Sequence, residues 1–281
     1  MRTSIRTMIA AGVLAATTGL GVDEISSAAS SAPEDPWPEL ADNVFKGRAL
    51  EDGSGLIALD LPSRAEDAAL VPLAVRTTLP PGDARQLKTL TLIVDANPAP
   101  VAATFTVGPS AGVTSLATRV RIDSYTNVHA VAELTDGRLY VVKQYVKASG
   151  GCSAPALKNA DEAKKSVGQM KFRQFAEFSD VAADAGGNRR REAQIMVRHP
   201  NNSGLQMDQL THYYIPAYFV RELRIWQGED LILAMEGGIS ISEDPNVRFD
   251  YVPTGAAFRA HAIDTDDHLF TGRWPAERSQ M

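Results

Sequence analysis

Cys152 is the only cysteine in the 281 residues, and it stands in the run Ser149-Gly150-Gly151-Cys152-Ser153. A single thiol cannot close a disulfide within its own chain, and it falls short of the several clustered ligands that a zinc site needs. It can act as a nucleophile, or it can carry a group covalently. Two preceding glycines remove side-chain bulk and widen the accessible backbone space, which suits a thiol that must enter a narrow site on another protein. Gly150 and Gly151 therefore read as an arm and Cys152 as its point of attachment. A linker cysteine with no role is the alternative.

Catalysis by a cysteine needs a base within hydrogen-bond reach and a third group to orient it. The five histidines, His129, His199, His212, His261 and His268, are all far from Cys152 along the chain and show no metal-ligand spacing. They read as structural. No glycine-rich phosphate loop opens a helix, and no Gly-x-Ser-x-Gly elbow occurs. The sequence thus points to no catalytic residue, no metal and no cofactor, and a cysteine-dependent enzyme would need a histidine folded against Cys152. Ser153 is placed to cap a following helix with Pro155 in its first turn, so the positive end of that helix would favour thiolate at Cys152, with Lys147 and Lys158 adding to the effect. Arg189-Arg190-Arg191 reads as a solvated charge cluster.

The N-terminus suggests where such a thiol works. Arg2 and Arg6 precede the apolar run that starts at Met8, and small residues follow, the pattern of a secretory signal peptide over residues 1–32. The apolar stretch is much shorter than the ~20 residues of a membrane-spanning helix. The expectation is an exported, periplasmic protein in a disulfide-permissive compartment, where an unpaired cysteine invites mixed disulfides or sulfur adducts. A formal net charge of −6 argues against non-specific binding to nucleic acid or to an anionic membrane surface.

These features need a scaffold. Trp37, Leu40, Ala41 and Val44 have the spacing of an amphipathic helix, which reads as a docking helix. After Gly55 come short β-rich runs, at about 56–61, 69–78, 87–95, 101–107, 116–124, 127–134 and 138–147, separated by turn residues. The clearest hairpin spans Asn127 to Lys147. Val128, Ala130, Ala132 and Leu134 share one face, and Asp136-Gly137 supplies a positive-φ pair for the turn. Its second strand leads straight to Gly150. Strand signals lapse from Ser153 to Arg191, where a connecting helix over Ala154–Met170 and a loop are expected, and they return from Ala193 to Trp274. The fold class is all-β: two immunoglobulin-like β-sandwich domains joined by a helical linker, with a small barrel as the alternative. The expected organisation is a signal peptide at 1–32, a first sandwich with its helix and arm at 36–152, a partly helical linker at 153–190, and a second sandwich at 191–276.

The residues also carry a family pattern. Ile93-Val94-Asp95-Ala96-Asn97-Pro98 continuing to Phe105, then Thr118-Arg119-Val120-Arg121-Ile122, then Val128-His129-Ala130-Val131-Ala132-Glu133, and finally Gly150-Gly151-Cys152, resemble SoxY. Val197-Arg198-His199-Pro200 with Ser203-Gly204, and Tyr214-Ile215-Pro216-Ala217-Tyr218-Phe219-Val220, resemble the opening of SoxZ. The chain is similar to a fusion of these two subunits of the periplasmic sulfur-compound carrier of thiosulfate oxidation, of the type associated with quinoprotein dehydrogenases. The resemblance implies a non-catalytic carrier with sulfur intermediates held on Cys152. Its implied partners are periplasmic sulfur-oxidation enzymes and a c-type cytochrome or a quinoprotein dehydrogenase. The alternative is an accessory adaptor of a quinoprotein dehydrogenase system in which the cysteine is incidental. One departure stands out. SoxY ends in Gly-Gly-Cys-Gly-Gly, whereas here Ser153 and Ala154 follow the cysteine and the chain continues, so the arm is tethered at both ends. The five steps from Lys147 to Cys152 span at most ~17 Å when extended.

Overall fold

The computed structural model describes residues 35–80, 82–155, 165–175 and 190–275. The expected signal segment at 1–32 and most of the 153–190 linker lie outside the described residues.

Along the chain the elements are α1 (Trp37–Phe45), β1 (Leu50–Asp52), β2 (Ile57–Asp60), β3 (Val71–Thr77), β4 (Leu87–Val94), β5 (Val101–Val107), β6 (Ser115–Val120), β7 (Thr126–Leu134) and β8 (Leu139–Val146). The second half contributes β9 (Met170–Phe175), β10 (Arg191–Val197), β11 (Val220–Gln227), β12 (Asp230–Gly237), β13 (Asn246–Tyr251), β14 (Phe258–Asp264) and β15 (Leu269–Trp274). Alternation decides what each strand buries. On β7, Val128, Ala130, Ala132 and Leu134 enter the main core as their spacing predicts. Val131 points the other way and meets Ile93, Leu139 and Phe45 in a smaller cluster packed by Trp37, Ala41 and Val44 of α1. The helix thus covers the outer face of that sheet, which is why β4 and β7 are apolar on both sides. A left-handed Lys46 ends it.

One nine-stranded sheet runs β1-β8-β7-β4-β5-β12-β11-β14-β15, and a six-stranded sheet runs β2-β3-β6-β13-β10-β9. Their inner faces share one core cluster, so the chain is an all-β, immunoglobulin-like sandwich as expected. The halves, however, are joined by more than a linker. β5 pairs with β12 from Val107↔Leu233 to Ala103↔Gly237, and β6 pairs with β13 at Leu116↔Phe249 and Ala117↔Arg248. Both sheets run through the boundary, and residues from Ile57 to Ala262 form a single apolar cluster.

Three local expectations are corrected. Met170–Phe175 is not helix and loop but the edge strand β9, paired with β10 from Met170↔Val197 to Phe175↔Glu192. Lys171 and Arg173 face water while Phe172 packs on the core, and such a short, charged edge strand leaves little pattern to read. In the β7–β8 turn only Gly137 has positive φ, at 78°. The turn holds three residues, with Gly137 N–H donating to Leu134 O at 2.9 Å, and Asp136 Oδ1 accepts the Arg138 N–H at 2.9 Å. Arg190 is not solvated. It donates to Asp250 Oδ2 at 3.1 Å and to Thr114 Oγ1 at 2.8 Å, while Asp250 Oδ1 accepts the N–H groups of Thr114 and Ser115 at 2.7 Å each. Through its hydrogen bonds to Thr114 and Ser115 this part-buried ion pair of the second half straps the two halves together beside the β6–β13 pairing.

Two outcomes follow from the shared sheets. A chain ending at Cys152 exposes the backbone edges of β5 and β6 and should self-associate, whereas the full chain stays dispersed, as size-exclusion chromatography would show. At Gly108 a Cβ would stand 1.6 Å from the Leu231 carbonyl oxygen, a backbone atom with nowhere to go. Gly108→Ala should therefore lower unfolding free energy by roughly 2 kcal/mol or more in a denaturant titration.

Candidate functional site

The segment that carries Cys152 leaves β8 and runs along the seam between the two halves. Lys147 holds it to the first half through its N–H to Ser63 O at 2.9 Å, and Gly151 N–H donates to Ile122 O at 3.0 Å. Gly150 turns the chain with φ at 76°. Gly151 is required for a different reason: a Cβ there would lie 2.1 Å from Ala68 O and 2.6 Å from Ile122 O. The two glycines let the backbone descend into the seam. Ser149, Gly150 and Ser153 are exposed, but Cys152 between them is 0% exposed.

Both halves grip this turn. From the first half, Asp123 Oδ1 accepts the Cys152 N–H at 3.3 Å, and Asp123 O accepts the Gly150 N–H at 2.8 Å. From the second, the Ser203 hydroxyl donates to Cys152 O, and Gln206 Nε2 donates to Ala154 O at 2.9 Å. Gln206 Oε1 in turn accepts the Ser203 N–H at 3.0 Å, so the two clamp residues hold each other. Behind the turn lies Arg121. Its guanidinium donates from Nη1 to Gly151 O and from Nη2 to Asn201 O, each at 3.2 Å, and it is 2% exposed. Its Nε has no hydrogen-bond partner. Asn97 completes the frame, donating from Nδ2 to Arg121 O at 2.8 Å and to Ser240 Oγ at 2.9 Å.

This surrounding reverses the expected tuning of the thiol. Burial pushes Cys152 up to about 11, the negative charge of Asp123 adds to the rise, and Arg121 opposes it only in part. The Ser153 hydroxyl donates to Gly150 O at 3.2 Å, and the helix that Ser153 was expected to cap lies outside the described residues. Lys158 lies outside the described residues. No histidine is among the described hydrogen-bond partners of Cys152.

The histidines sit elsewhere. His129 Nδ1 lies 2.8 Å from Asp95 Oδ1, and the Trp37 ring stacks on the imidazole at 3.5 Å, which ties α1 to the sheet. A cavity of about 710 Å³ is lined by Trp37, His129, Ser54 and Lys143 among others, and neither Cys152 nor Arg121 reaches it. His199 is buried. Its Nδ1 accepts the Asn201 N–H at 3.1 Å, and burial pulls its titration below the ordinary histidine value despite Asp264 nearby. Burial raises the Asp264 carboxyl, but hydrogen bonds from the Tyr218 hydroxyl at 2.8 Å and from the His268 N–H at 2.9 Å outweigh it and hold the group ionised. His261 packs edge-on against Trp226 at 5.0 Å. His212 takes positive φ in the loop after Met207. Among the described residues no group of three or more side chains could hold a metal ion, and no helix is long and apolar enough to cross a membrane.

Spacing alone singled out Gly150, Gly151 and Cys152. It missed Arg121, Asp123, Ser203 and Gln206 as neighbours of the thiol. The only available signal was that Arg121 and Ser203 lie inside the two patterned segments described above.

Residues 41–152 match the family model described as sulfur oxidation protein SoxY, and residues 181–275 match that described as sulphur oxidation protein SoxZ. No curated protein matches the chain. Among solved structures, a sulfur carrier protein SoxY from Chlorobium limicola f thiosulfatophilum is 23% identical over 40% of this chain and 91% of that one, with a TM-score of 0.34. A superoxide reductase (neelaredoxin) from Ignicoccus hospitalis is 10% identical over 32% of this chain and 78% of that one, with a TM-score of 0.29.

Two measurements check the thiol's state. Alkylation of Cys152 by iodoacetamide should be slow at neutral pH and accelerate up to about pH 11, and Gly151→Ala, which forces the turn away from Ala68, should speed it at neutral pH with the sandwich intact. Because the folded thiol titrates above its ordinary value near 9, the fold binds that proton more tightly than the unfolded chain does. Its contribution to stability is complete below about pH 9 and is lost as pH rises towards 11. Cys152→Ala should flatten the decline in stability across that window.

Proposed function

We propose that this chain, a SoxY domain fused to a SoxZ domain, is a carrier of sulfur compounds that holds them covalently on Cys152 and presents them to separate enzymes. The observation that carries the proposal is the position of the thiol at the seam, on a two-glycine turn that residues of both domains grip. A catalytic cysteine would be held towards a base. Cys152 is instead packed away from water, on a segment whose two ends are at the surface.

Such packing gives the carrier a resting state. At about 11, the thiol is ionised in roughly one molecule in ten thousand at pH 7, against about one in a hundred at its ordinary value of 9.0. Adventitious oxidation is suppressed accordingly. Loading then requires the turn to open. The hydrogen bonds to be broken beyond the glycine hinge are those of Cys152 with Asp123 and Ser203 and of Ala154 with Gln206. At about 1 kcal/mol net each they cost about 3 kcal/mol, which a docking enzyme can supply. Gly150 and Gly151 are the hinge, and the tether after Cys152 limits the swing, so the loading site of the partner must be shallow or must wrap the turn.

In this reading the chain works in an exported, periplasmic system and its partners are sulfur-oxidation enzymes, with a c-type cytochrome or a quinoprotein dehydrogenase as the electron-accepting member. A docking surface is at hand. One residue beyond Gln206 begins a loop in which Leu210, Tyr213 and Tyr214 are 91%, 76% and 66% exposed. The same loop favours the second reading, an adaptor of a quinoprotein dehydrogenase system that docks through these side chains with Cys152 incidental.

Intact-mass measurement of the protein isolated from its native host after exposure to thiosulfate or sulfide separates the two. The carrier predicts sulfur adducts on the native chain that are absent from Cys152→Ser, and pathway flux that falls to background in that variant. Only free thiol on the native chain, with full flux in Cys152→Ser, would sink it and leave the adaptor.

A further inference from the structure

Arg121 is a buried cation with no ion-pair partner among the described residues. Of its five N–H donors two are used on the carbonyls of Gly151 and Asn201, and the Nε–H is unpartnered. Among the described residues no carboxylate makes an ion pair with it, although the charges of Glu243 and Asp67 act on it. Burial alone pulls its titration below the ordinary arginine value, which registers the cost of keeping a full charge out of water. Buried charges are retained when something pairs with them. The charge that acts most strongly on Arg121 is that of Cys152 when ionised, yet the thiol is held protonated and supplies no negative charge.

The missing charge is therefore one that arrives with the cargo. Resting on the carrier reading above, we propose that Arg121 is the cargo-recognition residue of the closed state, selecting small anionic groups linked through sulfur to Cys152 over neutral ones. A terminal sulfonate provides three acceptor oxygens for the free Nε–H and for the Nη donors, whose present partners are only neutral carbonyls. The turn is at the surface at Gly150 and buried at Gly151, so a loaded group need displace no more than the turn itself. The contact would also close the carrier around its cargo, because Arg121 is bonded to Gly151 of the first domain and to Asn201 of the second. Arg121 takes no part in the bond-forming step; it positions and retains what has been attached.

Chemical loading tests this without any partner enzyme. Tetrathionate converts the thiolate to a thiosulfonate: Sγ bonds to one of the two central sulfurs, the central S–S bond breaks, and thiosulfate leaves with the electron pair. Methyl methanethiosulfonate converts it to a neutral methyl disulfide, with methanesulfinate as leaving group. Both adducts are prepared on the full-length chain and verified by intact mass. In the native sequence the anionic adduct should melt about 2–4 °C above the neutral one. Its release by a small thiol, normalised to the same adduct on glutathione, should be about tenfold slower. Both differences should vanish in Arg121→Met and keep their sign in Arg121→Lys. Equal melting and equal normalised release for the two adducts in the native sequence would overturn the proposal, as would an anionic adduct that lowers the melting temperature. If Arg121→Met does not fold, the native comparison and Arg121→Lys still decide. Because the groups are attached chemically, a native protein that carries no sulfur would refute the carrier reading and leave the selectivity of Arg121 as measured.

Discussion

The pairing of β5 with β12 and of β6 with β13 places everything else. A sheet edge left open is a row of unpaired N–H and C=O groups, and each half of this chain has two such edges that find partners only in the other half. Once they join, the inner faces form one core from Ile57 to Ala262. The loops at the seam are then brought to fixed positions. Asn97 and Arg121 of the first half meet Ser240 and Asn201 of the second, and the Cys152 turn settles among them.

Backbone geometry and electrostatics pull the thiol in opposite directions from what a reactive cysteine needs. Gly151 allows a carbonyl-lined approach no other residue could make, and that approach removes the thiol from water. Desolvation and the Asp123 carboxylate then outweigh the Arg121 charge. The result is an inert thiol in a closed seam, held by a small number of hydrogen bonds. In the proposed carrier, reactivity becomes a property of the open state, so control of opening is control of the chemistry. This logic suits a carrier better than an enzyme, which gains nothing from hiding its nucleophile at rest.

Much of the fold was legible because strand alternation is local. Val128 to Leu134 announced their common face, and Trp37, Ala41 and Val44 announced a helix that docks. Failures fell where local signals are weak. The edge strand Met170–Phe175 is short and charged, and the turn at Asp136-Gly137 has one positive-φ residue where two were expected. Arg190 looked like part of a solvated cluster because its partner, Asp250, is 60 residues away.

By itself the sequence determined the all-β class, the glycine turn before a single cysteine and the order of two family patterns in one chain, since all of these are written in neighbouring residues. Tertiary structure alone decided that Ser203 and Gln206 hold the cysteine's turn, that Arg121 lies buried behind it with no ion-pair partner among the described residues, and that the thiol is protonated at rest. The reason is physical. Burial and charge proximity depend on which distant segments share a seam, and that is settled by the pairing of sheet edges across the two halves.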